Sequence, residues 1–200
     1  MFSNTSTKEI LRKVYLKERM AFSDEELEDY SKLIFENFKK GFEVSAGINI
    51  SIFLPIKKFN EINTRYFIDF LWENKVNVFV PKIFNGEMIS VKIEPSTELV
   101  KNSWGVLEPK TNDDFSDNYF DIVFTPLLYC DHNGNRIGYG KGFYDRFFKK
   151  INRDTLKIGL NIFTPNEEIS DITAEDERLD YLLTPTETLS FFTGTSKFTK

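Results

Sequence analysis

The 200-residue chain carries 26 Lys and Arg against 31 Asp and Glu, a formal charge of −5, with 40% apolar residues and 21 phenylalanines. A chain this long removes about 70% of its unfolded surface from water, so one domain over 1–200 with an aromatic-rich core is expected, and disordered or fibrous classes are excluded. The acidic balance lacks the cationic footprint of a duplex nucleic-acid binder, the single Cys130 closes no internal disulfide, and no apolar run approaches the ~20 residues of a membrane span. The N-terminal MFSNTSTKEI has no apolar signal core, so a cytoplasmic monomer with no membrane or nucleic-acid partner is expected.

Ser6-Thr-Lys-Glu9 has capping-box spacing, and Ile10, Leu11, Val14 and Tyr15 follow at helical intervals, predicting a helix over about 6–20. Lys8 and Arg12 share one face of it, with Arg19 seven residues beyond Arg12. Such a face is usually solvated, yet Lys8 and Arg12 are kept as candidates for an anionic ligand. Ser23-Asp-Glu-Glu26 is a second capping box, the stripe Leu27, Tyr30, Leu33, Ile34 and Phe38 predicts a structural helix, and Gly41 suits its C′ position.

The run 48–54 reads as a strand stopped by Pro55, 64–72 as a helix, and 76–80 as a strand stopped by Pro81. Strand, helix and strand at this spacing form a parallel crossover unit, and ligands of such sheets sit beyond the carboxyl ends of strands, where Glu61 falls. Residues 87–94 alternate as a half-buried strand, antiparallel or at an edge, while 95–118 is loop-rich around Trp104-Gly105-Val106-Leu107-Glu108-Pro109. Strands are predicted at 119–125, 156–162 and 179–184, with a helix after Gly142 that lines up Phe143, Phe147 and Ile151. Beyond Thr193 no apolar period remains, so a disordered tail over about 194–200 is expected. Together these elements predict an α/β fold: one open, mostly parallel, Rossmann-like sheet with helices on both faces.

Between the 119–125 strand and the last helix lie three alternate glycines, Gly138, Gly140 and Gly142, with Arg136, Lys141 and Asp145. Bare backbone entering a helix suits phosphate, although the same residues also make an ordinary turn. The spacing fits neither a Walker loop nor a dinucleotide fingerprint. With Lys8 and Arg12 as a second cationic pair, and Glu61, Asp145 and Asp176 as acids, the set suits a magnesium nucleotide, because phosphate-bound Mg2+ takes only one or two protein carboxylates. Cys130 and His132 have no partner at catalytic spacing and read as structural.

Asp131-His-Asn-Gly-Asn-Arg-Ile-Gly-Tyr-Gly-Lys-Gly-Phe-Tyr-Asp145 is similar to the signature D-x-x-G-x-R-L-G-x-G-K/G-G-Y-Y-D, and the chain resembles the 5-formyltetrahydrofolate cyclo-ligase, or methenyltetrahydrofolate synthetase, family. Supporting matches are Lys8-x-x-x-Arg12, Asn60-Glu-Ile-Asn-Thr64, Trp104-Gly-Val-Leu-Glu-Pro109 and Glu175-Asp-Glu-Arg-Leu-Asp-Tyr-Leu-Leu-Thr184. Phe143 stands where the family usually has Tyr, Asn60 and Asn63 replace acids, and Glu175 replaces a His.

The resemblance implies ATP- and Mg2+-dependent closure of 5-formyltetrahydrofolate to 5,10-methenyltetrahydrofolate through a phosphorylated formyl group. It implies that Lys8, Arg12, Arg136, Gly138, Tyr139, Gly140, Lys141, Gly142, Phe143 and Tyr144 contact ATP. Arg12, Lys141 and Tyr144 would serve the transfer, and Asp145 and Asp176 the metal. Leu54, Glu61, Trp104, Tyr139, Gly140, Lys141, Gly142 and Phe143 would meet the folate. Two other readings stand beside it: a sugar-phosphate isomerase or CoA transferase on a similar scaffold, and a nucleotide- or folate-binding module without turnover.

Overall fold

The computed structural model describes residues 4–102, 105–117, 119–192, 194 and 196–200. Its main sheet contains β2 (Asn49–Ser51), β3 (Asn77–Phe84), β4 (Glu87–Ile93), β7 (Ile122–Pro126), β10 (Leu156–Leu160), β12 (Tyr181–Leu183) and β13 (Thr188–Ser190). Short ribbons outside it pair β1 (Asn4–Ser6) with β11 (Glu167–Ile169), β5 (Leu99–Lys101) with β6 (Leu107–Pro109), and β8 (Tyr129–Cys130) with β9 (Arg136–Ile137). The helices are α1 (Lys8–Arg19), α2 (Asp24–Gly41), α3 (Arg65–Glu73) and α4 (Phe143–Lys150).

The sheet order is β13-β12-β10-β7-β2-β3-β4, parallel from β12 to β3 and antiparallel at both edges. Alternate residues of each strand point to opposite faces. Val78, Val80, Ile122, Phe124 and Ile158 meet Ile34 and Phe38 of α2 and Phe67 and Leu71 of α3. Phe79 and Val123 meet Phe147 and Phe148 of α4 on the other side. The mostly parallel α/β sheet covered on both faces is therefore what the chain builds. No described helix is long and apolar enough to cross a membrane.

Local rules account for most boundaries. Ser23 Oγ accepts from Glu26 N at 3.2 Å and Glu26 Oε2 from Ser23 N at 2.8 Å, so two otherwise open donors start α2 as its capping box predicts. Helix α1 starts later than its spacing predicts, because the Ser6 hydroxyl donates to Glu167 and Thr7 becomes the N-cap. Gly41, expected past the end of α2, is its last helical residue, and its carbonyl accepts from Lys200 N.

Pro81 does not stop β3. Its cross-strand partner Ser90 directs its own N–H to Asp114 and Ser116 and its carbonyl to Phe115, so this pair exchanges no ladder bond and a missing N–H costs nothing. The 194–200 stretch, expected as a disordered tail, carries Phe198 at 6% exposure in the main core. Glu43 N donates to Phe198 O at 2.7 Å, and Thr199 bridges Phe42. A lone apolar anchor has no period to reveal it.

The chain leaves β2 through α3 toward β3 on one side, whereas β7, β10 and β12 follow one another on the other side. The order reverses between β2 and β7. Ligands of open α/β sheets bind in the crevice beyond the carboxyl ends of such strands, and here the loop 52–64 and the segment 127–142 meet at that place through Glu61 and Tyr139.

Candidate active site

The segment after β7 does not run straight into its glycines. It first forms the β8–β9 hairpin, whose turn is held by the buried Asp131 carboxylate accepting from Asn133 N, Asn135 N and Asn135 Nδ2 at 2.8–3.0 Å. The hairpin sets the direction in which 138–142 emerges, and α4 follows at once. Gly142 begins α4 at φ 64°, with no side chain capping the helix. Gly140 lies at φ 82°, and a Cβ there would stand 3.2 Å from Arg12 Cζ. Both positions need glycine, for backbone sign and for close approach. The thiol of Cys130, in strand β8 of this hairpin, is buried, which pushes its pKa well up, as suits a structural role.

One face of α1 lies along this loop. Lys8 Nζ contacts Asp176 Oδ2 at 2.5 Å, Arg12 Nε donates to Gly138 O at 3.0 Å, and Arg19, at the far end, reaches Tyr139. Burial raises the Asp176 pKa, but the Lys8 hydrogen bond and charge and the Thr173 N–H and hydroxyl outweigh it, leaving the group below its usual range. Asp145 lies next to this cluster, accepting from Arg136 Nη2 at 2.7 Å and from Glu177 N at 3.3 Å. The structure thus brings together Lys8, Arg12, Asp145, Asp176 and the glycine loop from three separate parts of the chain.

Arg136 is turned inward rather than toward open solvent: its side chain is 6% exposed, bonded to Asp145 and the Glu177 carbonyl and stacked 5.1 Å from the Phe148 ring. Lys141 is exposed, and among the described residues its ammonium has no partner. Phe143 is half-buried against the α4 cluster, with Arg146 5.1 Å from its ring. Burial, then the charge of Glu61, pushes the half-buried Tyr144 phenol upward.

Across the crevice, Glu61 is 4% exposed. Its Oε1 accepts from Tyr139 OH at 2.6 Å and its Oε2 from Ile56 N at 2.7 Å. Burial raises its pKa, opposed by these two hydrogen bonds and by the charge of Arg19. Leu54 is half-buried on the same loop and packs against the main core. Trp104 lies outside the described residues. Arg19 is the functional candidate that sequence reading passed over; its only signal is that it shares the face of Lys8 and Arg12.

Among the described residues no three His, Cys, Asp or Glu side chains cluster to hold a metal unaided. Asp145 accepts from the N–H of Glu177, the residue after Asp176, and the two acids, paired here with Arg136 and Lys8, are a donor set of the size that Mg2+ takes when it is carried in on phosphate.

Comparison with known proteins follows the same lines. A family model described as the 5-formyltetrahydrofolate cyclo-ligase family matches residues 4–185. A 5-formyltetrahydrofolate cyclo-ligase of Haemophilus influenzae is 34% identical over 118 residues, covering 56% of this chain and 62% of that protein. A probable 5-formyltetrahydrofolate cyclo-ligase of Schizosaccharomyces pombe is 30% identical over 156 residues, 68% of this chain and 74% of the relative. The solution structure of Aquifex aeolicus 5,10-methenyltetrahydrofolate synthetase superposes with a TM-score of 0.74 at 25% identity, over 94% of this chain and 95% of the other. The Mycoplasma pneumoniae 5,10-methenyltetrahydrofolate synthetase gives 0.65 at 25% identity, over 90% and 99%.

Proposed function

Since the chain belongs to the 5-formyltetrahydrofolate cyclo-ligase family, a family of enzymes, we propose that it closes 5-formyltetrahydrofolate to 5,10-methenyltetrahydrofolate with ATP and Mg2+. The observation that carries this reading is the α1 face, which sets Lys8 and Arg12 over a glycine loop flanked by Asp145 and Asp176.

An N-formyl group is an amide and a poor electrophile. Its oxygen attacks the γ-phosphorus, ADP leaves, N10 attacks the activated carbon, and phosphate departs with the former formyl oxygen. N10 loses its proton as it becomes part of the new ring, which leaves the amidinium of the methenyl bridge between N5 and N10. No protein nucleophile is needed, so the protein's work is alignment and charge neutralisation. Gly138 to Gly142 offer backbone to the phosphates, while Lys8, Arg12 and the exposed Lys141 supply positive charge. Asp145 and Asp176 would hold Mg2+, which when bound neutralises phosphate oxygens, and Arg136 orients Asp145. Glu61 accepts from N–H groups of the pterin, with Tyr139, Leu54 and Phe143 along the folate. Tyr144, high in pKa, stays a neutral donor.

Methenyltetrahydrofolate absorbance separates the readings. Product forms only with ATP and Mg2+ present, and Asp145→Ala loses turnover by about a hundredfold or more while keeping its circular dichroism. Wild-type protein that yields no ATP-dependent product, or an unimpaired Asp145→Ala, defeats the proposal.

A further inference from the structure

Arg19 has no assigned part in this chemistry, yet it is 3% exposed, an unusual burial for an arginine in the last turn of a helix. A buried guanidinium is tolerated only when its donors are satisfied. Here Nε donates to Phe59 O at 2.8 Å, Nη1 to Leu127 O at 3.0 Å and Nη2 to Tyr139 OH at 2.5 Å. Phe59 belongs to the loop after β2, Leu127 follows β7, and Tyr139 lies in the glycine loop. One side chain therefore ties together the loop after β2, the end of β7 and the glycine loop.

The bonds also have a direction. The Tyr139 oxygen receives the Arg19 N–H, so its single proton is turned to Glu61 Oε1, while Ile56 N occupies Oε2. Both Glu61 oxygens act as acceptors, an arrangement that suits the carboxylate and not the acid. The titratable groups facing Glu61 are Arg19 from α1, Tyr139 from the glycine loop and Tyr144 from α4. Of these, Arg19 is the cation. Asn60 supports the arrangement from the back, its Nδ2 donating to Arg19 O and Phe22 O at 3.2 and 3.1 Å.

We propose that Arg19 is a positioning residue that, through Tyr139, holds Glu61 as an oriented, charged acceptor on the folate side of the crevice. This rests on the reading of Glu61 as a folate contact. It separates Arg19 from Lys8 and Arg12 on the same helix face: those two serve ATP, whereas Arg19 serves the other substrate.

The test measures 5-formyltetrahydrofolate binding without ATP, and both KM values in turnover, for wild type, Arg19→Met, Arg19→Lys and Tyr139→Phe, over the pH range in which each stays folded. Arg19→Met weakens folate binding by about tenfold or more, the scale of one lost charged hydrogen bond, and leaves the ATP KM within about twofold. Its folate-binding curve loses its acid limb at higher pH than wild type, because Glu61 without the cation protonates sooner. Arg19→Lys restores the position of that limb more than the affinity. Tyr139→Phe weakens folate binding while retaining both carbonyl bonds of Arg19.

Unchanged folate affinity and acid limb in the folded variants overturn the proposal, as do equal losses for folate and ATP, which mark a general clamp. Should Arg19→Met not fold, Tyr139→Phe and Arg19→Lys decide by the same criteria. Wild type that binds folate without turnover counts against the ligase reading alone, and the binding arm still judges Arg19. Wild type that binds no folate overturns both.

Discussion

Gly140 shows how a single residue couples backbone sign to substrate chemistry. Its φ of 82° disfavours any side chain, and the space a Cβ would fill is taken by the Arg12 guanidinium at 3.2–3.4 Å. Gly140→Ala is expected to destabilise the fold by about 1–2 kcal/mol and to displace Arg12. Turnover should then fall by about tenfold or more, with the loss in kcat and ATP KM rather than in folate binding. Calorimetry with separate titration of the two substrates checks this; a variant that loses only stability would show that the close approach has no catalytic part. Phe143 is the contrasting case: the first residue of α4, it packs its ring against the cluster of Phe147 and Phe148, a contact that a hydroxyl takes no part in.

At the scale of elements, α1 and the segment around Asp176 are joined by the 2.5 Å Lys8–Asp176 contact, with both side chains about one-fifth exposed. The Asp176 pKa is lowered below 3.8 in the folded chain. Its stabilisation is therefore present above the unfolded value and is lost as pH falls through the lower folded one. Asp176→Asn should cost about 1–2 kcal/mol near neutrality and nothing well below pH 3.8, so the urea midpoints of variant and wild type converge on acidification. Parallel curves at all pH would remove the ion pair as the cause. Element prediction from sequence succeeded where several residues repeat a pattern, as in the α2 capping box and the strand at β4, although β4 buries Met88 and Ser90 as well as Ile89 and Val91 and so is covered on both faces rather than one. Strands β8 and β9, two residues each, are too short to carry a period, and the Asn85-Gly86 pair, at φ 50° and 81°, makes the tight turn that joins β3 to β4.

For the whole molecule, the C-terminal stretch closes the core. Phe198 joins the α2 and sheet cluster, and the strand-like contacts of 198–200 hold the end of α2. Phe198→Ala is expected to destabilise by about 3–4 kcal/mol while leaving both KM values unchanged, since Phe198 packs near the end of α2 rather than against the crevice. Thermal unfolding with assays below the transition tests this, and an altered folate KM would contradict the separation of core and site.

Periodicity and caps determined the α/β class and the parallel core, and with the long glycine motif they put forward Lys8, Arg12, Glu61, Asp145 and Asp176 as candidates, because these signals depend on neighbours along the chain. The tertiary structure alone decided that Arg136 turns inward to Asp145, that Phe198 is buried and that Arg19 spans the crevice. The reason is burial: a guanidinium seven residues past Arg12 reads as a solvated charge until the ends of β2 and β7 bring two carbonyls and a tyrosine within reach of it.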